Sequence, residues 1–141
     1  MSQLTGEKIA LQLQTPGRCR MHYQILVKGE VIGEVELDHI AWRSGEAELK
    51  IHIFDPAKRR RGFGSDAVTT LLEHAFGTMN LRRVYLRVHA TNTAAVRCYE
   101  KAGFKKEGKL KRSFGGERKE EVLLMAVSRQ HFSKEKPARA V

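Results

Sequence analysis

One stretch of backbone that must turn sharply and then start a helix limits this chain more than any other feature. Arg59-Arg60-Arg61-Gly62-Phe63-Gly64-Ser65 follows an alternating apolar run ending near Phe54 and precedes a helical run from Asp66 to Phe76. Two glycines one residue apart let the backbone turn tightly. A helix that starts just after them presents unpaired N–H groups and the positive end of its dipole. Strand, glycine loop and helix in that order make an anion site suited to a phosphate or diphosphate. Three arginines beside it add charge and donors. The same residues also describe a basic surface turn that uses glycine only for its geometry.

Patterning on either side predicts an α/β fold. Ile9 to Leu13 alternates as a strand does, and Thr15-Pro16-Gly17 breaks it. Met21, Tyr23, Ile25 and Val27 mark the next strand, and Lys28-Gly29-Glu30 turns it into a partner carrying Val31, Gly33, Val35 and Leu37. After the turn Arg43-Ser44-Gly45 comes a strand from Ala47 to Phe54. Ala47, Leu49, Ile51 and Ile53 share one of its faces, and Glu48, Lys50, His52 and Phe54 the other. Val68, Leu71, Leu72, Ala75 and Phe76 fall at helical spacing, with Gly77 as the stop. Val84, Leu86 and Val88 mark a further strand. Asn92 or Thr93 caps a second helix with the stripe Ala95, Val96, Tyr99 and Ala102, ending at Gly103. From Phe104 the chain is extended, Gly115-Gly116 turns it, and Val122 to Val127 reads as a buried strand. Residues 1 to 8 and the basic tail 129–141 read as loose ends. The order predicts a single domain over residues 1–128. Its sheet is mixed and mostly antiparallel, with flanking helices and a crossover at the first helix.

Composition narrows the partners. With 41% hydrophobic and 30% charged residues, the 141-residue chain suits a water-soluble domain with a real core. No apolar run approaches the ~18 residues of a membrane span, and the first residues lack a secretory pattern. Cys19 and Cys98 lie far apart, form no CxxC pair, and fit reduced thiols of a cytoplasmic protein with no metal site. The net charge of +10 favours anionic ligands such as nucleotides or coenzyme A. It also permits nucleic acid, but no nucleic-acid-binding motif is present.

A family is visible in two patterns. Arg59 to Gly64 fits R/Q-x-x-G-x-G/A, and Asn92-Thr93-Ala94-Ala95-Val96-Arg97-Cys98-Tyr99-Glu100-Lys101-Ala102-Gly103-Phe104 fits N-x-x-A-x-x-x-Y-x-x-x-G-F. In this order, with a strand between them, they resemble the GNAT superfamily of acyl-CoA N-acyltransferases. The chain looks most like its ribosomal-protein N-terminal and polyamine acetyltransferase branch. The resemblance runs from about Glu30 to Val127.

The resemblance implies acetyl transfer from acetyl-CoA directly to a primary amine: a protein N-terminus, a lysine or a small amine. It implies that backbone N–H groups of Arg61 to Ser65, including those of Gly62, Phe63 and Gly64, hold the coenzyme A diphosphate, with Arg59 and Arg60 adding charge. It places His52, Ile53 and Phe54 against the pantetheine arm through their backbones. That strand and the Val84–His89 strand should splay apart and leave backbone groups for the ligand to satisfy. Tyr99 falls where family members keep the phenol that protonates the leaving thiolate; as a residue of the helix stripe it is also an ordinary core aromatic. Asn92 falls beside the cofactor in the family and equally reads as a plain helix cap. Glu48 falls where some members place a general base; Glu46 is a close rival, and His52 shares its face.

One departure matters for the acceptor. Family members place one or two helices between the first two strands, and here only Gln14 to Arg20 separates them. The acceptor side is then open, rebuilt by a partner subunit, or shaped for a large substrate. A homodimer would cover apolar surface that the missing helices leave bare. The shortened region also keeps a second reading in play: a non-catalytic acyl-CoA-binding or nucleic-acid- or ribosome-associated module on the same fold. The positive net charge argues mildly for a protein amine over a polyamine. If backbone geometry grips the phosphates, Gly62→Val or Gly64→Val weakens acetyl-CoA binding, measured by calorimetry, more than alanine at any one arginine. The opposite ranking would make the loop a basic patch only.

Overall fold

The computed structural model describes residues 3–59, 61–113 and 119–135. Among them are the strands β1 (Gln3–Thr5), β2 (Ala10–Pro16), β3 (Met21–Val27), β4 (Glu30–Ala41), β5 (Glu46–Ile53), β6 (Arg83–His89), β7 (Lys105–Ser113) and β8 (Lys119–Ser128). They form one sheet in the order β1-β2-β3-β4-β5-β6-β8-β7. Neighbours are antiparallel except β5 and β6. Connectivity explains the exception. The chain leaves β5, crosses one face as α1 (Phe63–Phe76) and re-enters at Arg83, so the two strands run the same way. α2 (Thr93–Lys101) joins β6 to β7, and α3 (Arg129–Glu135) follows β8. No helix among the described residues is long and apolar enough to cross a membrane.

The strand pattern builds the core as expected. Alternate residues such as Leu11, Ile25, Val35, Leu37, Leu49 and Leu86 point to the helix face, and each is at most 2% exposed. Leu71 and Leu72 of α1 are fully buried against them. Burying a side chain of this size contributes about 1.5–3 kcal/mol. The β3–β4 hairpin turns through Lys28 at φ 50° and Gly29 at φ 82°, the two left-handed positions of a tight two-residue turn.

The other face of β3–β5 carries paired charges. Arg20 donates from Nε and Nη2 to both oxygens of Glu36, each at 3.0 Å. His22 lies 2.6 Å from Glu34, and Lys50 donates to Asp38 at 3.0 Å. Residues 17–20 alone link β2 to β3, so the short connection read from the sequence holds. They are tied to the end of β4 by Ile40 N–H to the Cys19 carbonyl and Trp42 Nε1 to the Arg18 carbonyl. This face of β3–β5 thus carries charged pairs, with Phe54 exposed at its edge.

Three boundaries differ from the sequence pattern. Residues 3–5, expected to be loose, pair with β2. α1 starts at Phe63 rather than Asp66, because Gly62 at φ 83° caps it inside the glycine motif. Arg129–Glu135, expected to fray, is helical: Phe132 is 5% exposed with its ring 5.4 Å from Phe76, and the Arg129 N–H bonds the Arg82 carbonyl. Polarity hid this helix, since one buried aromatic anchors it. The Gly115-Gly116 turn, Arg60 and the tail from residue 136 lie outside the described residues. Phe132→Ala is expected to cost about 3 kcal/mol of unfolding free energy in a denaturant titration. A frayed tail would give no change.

Candidate functional site

β5 and β6 are paired only through Glu46–Arg83, Ala47–Val84 and Glu48–Tyr85. Beyond that vertex β5 continues to Ile53 and β6 to His89 with no ladder between them. A wedge opens in the middle of the sheet. Backbone groups of a strand point alternately to either edge. The Phe54 N–H is bonded to the Ile32 carbonyl on the β4 side. By alternation His52 also faces β4, while Leu49, Ile51 and Ile53 face the wedge. Of the three residues nominated for backbone contacts, Ile53 alone turns its main chain to the opening, and Leu49 and Ile51 join it. Arg59 reaches back and donates from Nη2 to the Ile53 carbonyl at 3.1 Å. His52 and Phe54 are exposed, and their rings meet edge-on at 5.4 Å.

The glycine loop closes the wide end. No side chain caps α1, so its first N–H groups are offered outward. A side chain added at Gly64 would meet nothing nearer than Ile51 Cδ1 at 4.0 Å, so the space above it is open and lies beside β5. Arg61 is exposed, and its carbonyl accepts from Lys8 Nζ at 3.1 Å. Lys8 is there because Asp66, in the first turn of α1, takes the backbone N–H groups of Glu7, Lys8 and Ile9 on its carboxylate at 3.2, 2.6 and 3.1 Å. The segment before β2 is thus strapped across the start of α1 and brings an extra cation to the loop.

α2 flanks the same region. Asn92 is its N-cap, accepting the Ala95 N–H at 3.2 Å. Burial pushes the Cys98 thiol up, and the Ser65 side chain, from the first turn of α1, offsets this in part. Tyr99 packs on the core, its ring edge-on to Phe104 at 5.8 Å. Burial, with a smaller contribution from Cys98, pushes its phenol well above the ordinary tyrosine range.

At the narrow end stands Glu48, 3% exposed, on the face away from the helices. Arg87 donates to it from Nε at 3.1 Å and from Nη2 at 3.4 Å, bridging β5 and β6 where they part. Glu48, with Glu46, also holds the Tyr85 phenol up, after burial as the main cause. Glu46 is the more accessible carboxylate and is bonded by Arg83 Nη1 at 3.4 Å. Tyr99 and Glu48 therefore sit on opposite sides of the sheet with the wedge between them.

The profile of the GNAT acetyltransferase domain matches residues 3–105 of this chain. The chain belongs to the GNAT acetyltransferase family. It is 37% identical to a spermidine N(1)-acetyltransferase of Vibrio cholerae over 84 residues, 60% of this chain and 48% of that protein. The Escherichia coli K12 spermidine N(1)-acetyltransferase is 30% identical over 110 residues, 77% of this chain and 59% of that protein. The chain thus spans about half the length of the curated relatives it matches. A crystal structure of the Vibrio cholerae spermidine N-acetyltransferase with CoA and spermine superposes with a TM-score of 0.75 at 29% identity. That match covers 82% of this chain and 70% of the other.

Within this GNAT chain, sequence reasoning missed Lys8, Asp66 and Arg87, because each acts on a partner at least 39 residues away. An acidic residue in the first turn of α1 was the one local sign of Asp66. The geometry separates the two glycines. Gly62→Val forces a left-handed φ on a branched residue and meets Lys8 Nζ at 2.8 Å, so both folding and binding are expected to suffer. Gly64→Val should unfold within a few degrees of the native chain, yet bind acetyl-CoA at least about tenfold more weakly, a loss of roughly 1.4 kcal/mol. Thermal melts and calorimetry on the pair check this.

Proposed function

We propose that this chain moves an acetyl group from acetyl-CoA directly to a primary amine in the cytoplasm. The observation that carries the proposal is the wedge after Glu48 and Tyr85, with a helix-capped glycine loop at its wide end and a buried carboxylate at its vertex. Unpaired main-chain groups in the middle of a sheet are costly unless something bonds them. An arm containing amide groups is the chemical match, and the family matches point to the pantetheine of coenzyme A. When bound, acetyl-CoA supplies the acetyl group as an activated thioester.

The residues divide the work. Main-chain N–H groups of Phe63, Gly64 and Ser65 at the α1 start hold the diphosphate, and Lys8, Arg59, Arg60 and Arg61 supply charge around it. Leu49, Ile51 and Ile53 offer backbone partners to the arm. Asn92 keeps α2 started beside them. Glu48 accepts the proton that the incoming ammonium must lose. The amine then bonds the acetyl carbon, the carbon–sulfur bond breaks, Tyr99 protonates the departing thiolate, and the second proton shed by the nitrogen restores the Tyr99 phenol. A phenol held above its ordinary pKa of about 10 stays protonated at neutral pH and keeps that proton available. Cys98 serves badly as a nucleophile, since burial disfavours its thiolate.

A cationic acceptor fits the wedge surroundings better than the net charge suggests. Near the vertex Asp38, Glu46 and Glu48 balance Lys50, Arg83 and Arg87, so an ammonium meets a locally neutral surface. Spermidine, by the names of the relatives, is the first acceptor to try. The open charged face also admits a lysine or N-terminus on a protein.

Tyr99→Phe is expected to lower kcat on the order of a hundredfold from about pH 6 to 9, while Cys98→Ala stays within about twofold. Thiol release with spermidine and with lysine peptides measures both. With the phenol held up, Tyr99 contributes no alkaline fall in rate below about pH 10. An unchanged Tyr99→Phe rate removes the acid assignment. Tight acetyl-CoA binding without turnover on any acceptor would instead support the non-catalytic binding module.

A further inference from the structure

β4 loses register with β5 between Asp38 and Ala41, opposite Glu48 and Glu46. Bulges of this kind re-aim side chains and gather near active sites. Within this one His39 sits at φ 51°, a left-handed backbone that a histidine adopts uncommonly. Its N–H donates to Asp38 Oδ1 at 2.8 Å, which holds the bulge. The ring lands between two carboxylates: Nε2 is 3.7 Å from Asp38 Oδ2 and 3.7 Å from Glu48 Oε1. The His39 side chain is 62% exposed and that of Glu48 is 4% exposed. The ring is therefore the solvent-facing neighbour of a carboxylate that is otherwise closed off. Glu48's other partner, Arg87, stays charged and cannot carry a proton away.

Resting on the acetyltransferase reading, we propose that His39 is the proton exit of the site. Glu48 takes a proton from the acceptor ammonium, His39 Nε2 takes it from Glu48 Oε1, and solvent takes it from His39. Each group returns to its starting state, and the net change is one proton moved from ammonium to water. Histidine suits the task because its charge changes between about pH 5 and 8. The separation is just beyond a hydrogen bond, and a small rotation of the exposed ring closes it. The charges facing the ring are Asp38 on its own strand, Glu48 and Lys50 on β5, and Arg87 of β6 through Glu48. His39 acts through Glu48 and touches no reacting atom, so it is a positioning residue.

The test uses His39→Asn, since asparagine accepts a left-handed backbone. His39→Gly, which removes the backbone strain altogether, is run beside it. Thermal melts and acetyl-CoA calorimetry should match the native chain for at least one of them. With spermidine and a lysine-containing peptide as probes, kcat near pH 7 should fall roughly tenfold to a hundredfold. The acidic limb of the kcat–pH profile should move, and added imidazole should restore the rate. A folded, cofactor-binding variant with native rate and profile, or with a loss that imidazole does not relieve, overturns the relay and leaves the acetyltransferase reading standing. A native chain that binds acetyl-CoA and releases no thiol with either probe overturns both.

Discussion

Main-chain groups that have no strand to bond organise this molecule. β5 and β6 share three residue pairs and then part, although both continue and both are held firmly on their outer edges by β4 and β8. Those outer ladders keep the strands extended where the inner one has stopped. The α1 crossover packs into the core through Val68, Leu71 and Leu72, and the Arg87–Glu48 bridge joins the two strands where they part. The opening is thus a property of the sheet, and its chemistry is that of peptide N–H and C=O.

The charge of +10 acts locally rather than as a whole. Lys8, bonded to the Arg61 carbonyl, places positive charge at the α1 N-terminus, where the helix dipole adds to it. Lys8 reaches that place only because the Asp66 carboxylate, 9% exposed, gathers three backbone N–H groups of the preceding segment. At the vertex the sign balances: carboxylates of β4 and β5 meet cations of β5 and β6. The two ends of the wedge thus differ in local charge, positive at the loop and balanced at the vertex.

Shortening the β2–β3 connection changes the sheet's second face. Where an apolar surface would need a cover, β3, β4 and β5 present Arg20–Glu36, His22–Glu34 and Lys50–Asp38. Exposed pairs of this kind are each worth at most about 1 kcal/mol. Their effect is to keep the face wettable. The same face holds the bulge at His39, whose ring lies beside Glu48.

The residues in order were enough for the strand–loop–helix unit, the mixed sheet, the short first connection and the acyltransferase family. The first three follow from alternation, helical spacing and glycine, which act over a few residues; the family was legible as a resemblance in two motifs, Arg59 to Gly64 and Asn92 to Phe104. The glycine motif itself named the Arg59–Ser65 loop, while the family resemblance named Tyr99 and Glu48. Tertiary structure alone decided which backbone edge faces the wedge, because one bond from Phe54 to Ile32 sets the phase of the whole strand. It alone turned a polar tail into α3 through Phe132, and brought Lys8, Arg87 and His39 to the site. Contacts between residues distant in the chain leave no periodicity in the sequence; burial and register create them only once the sheet has formed.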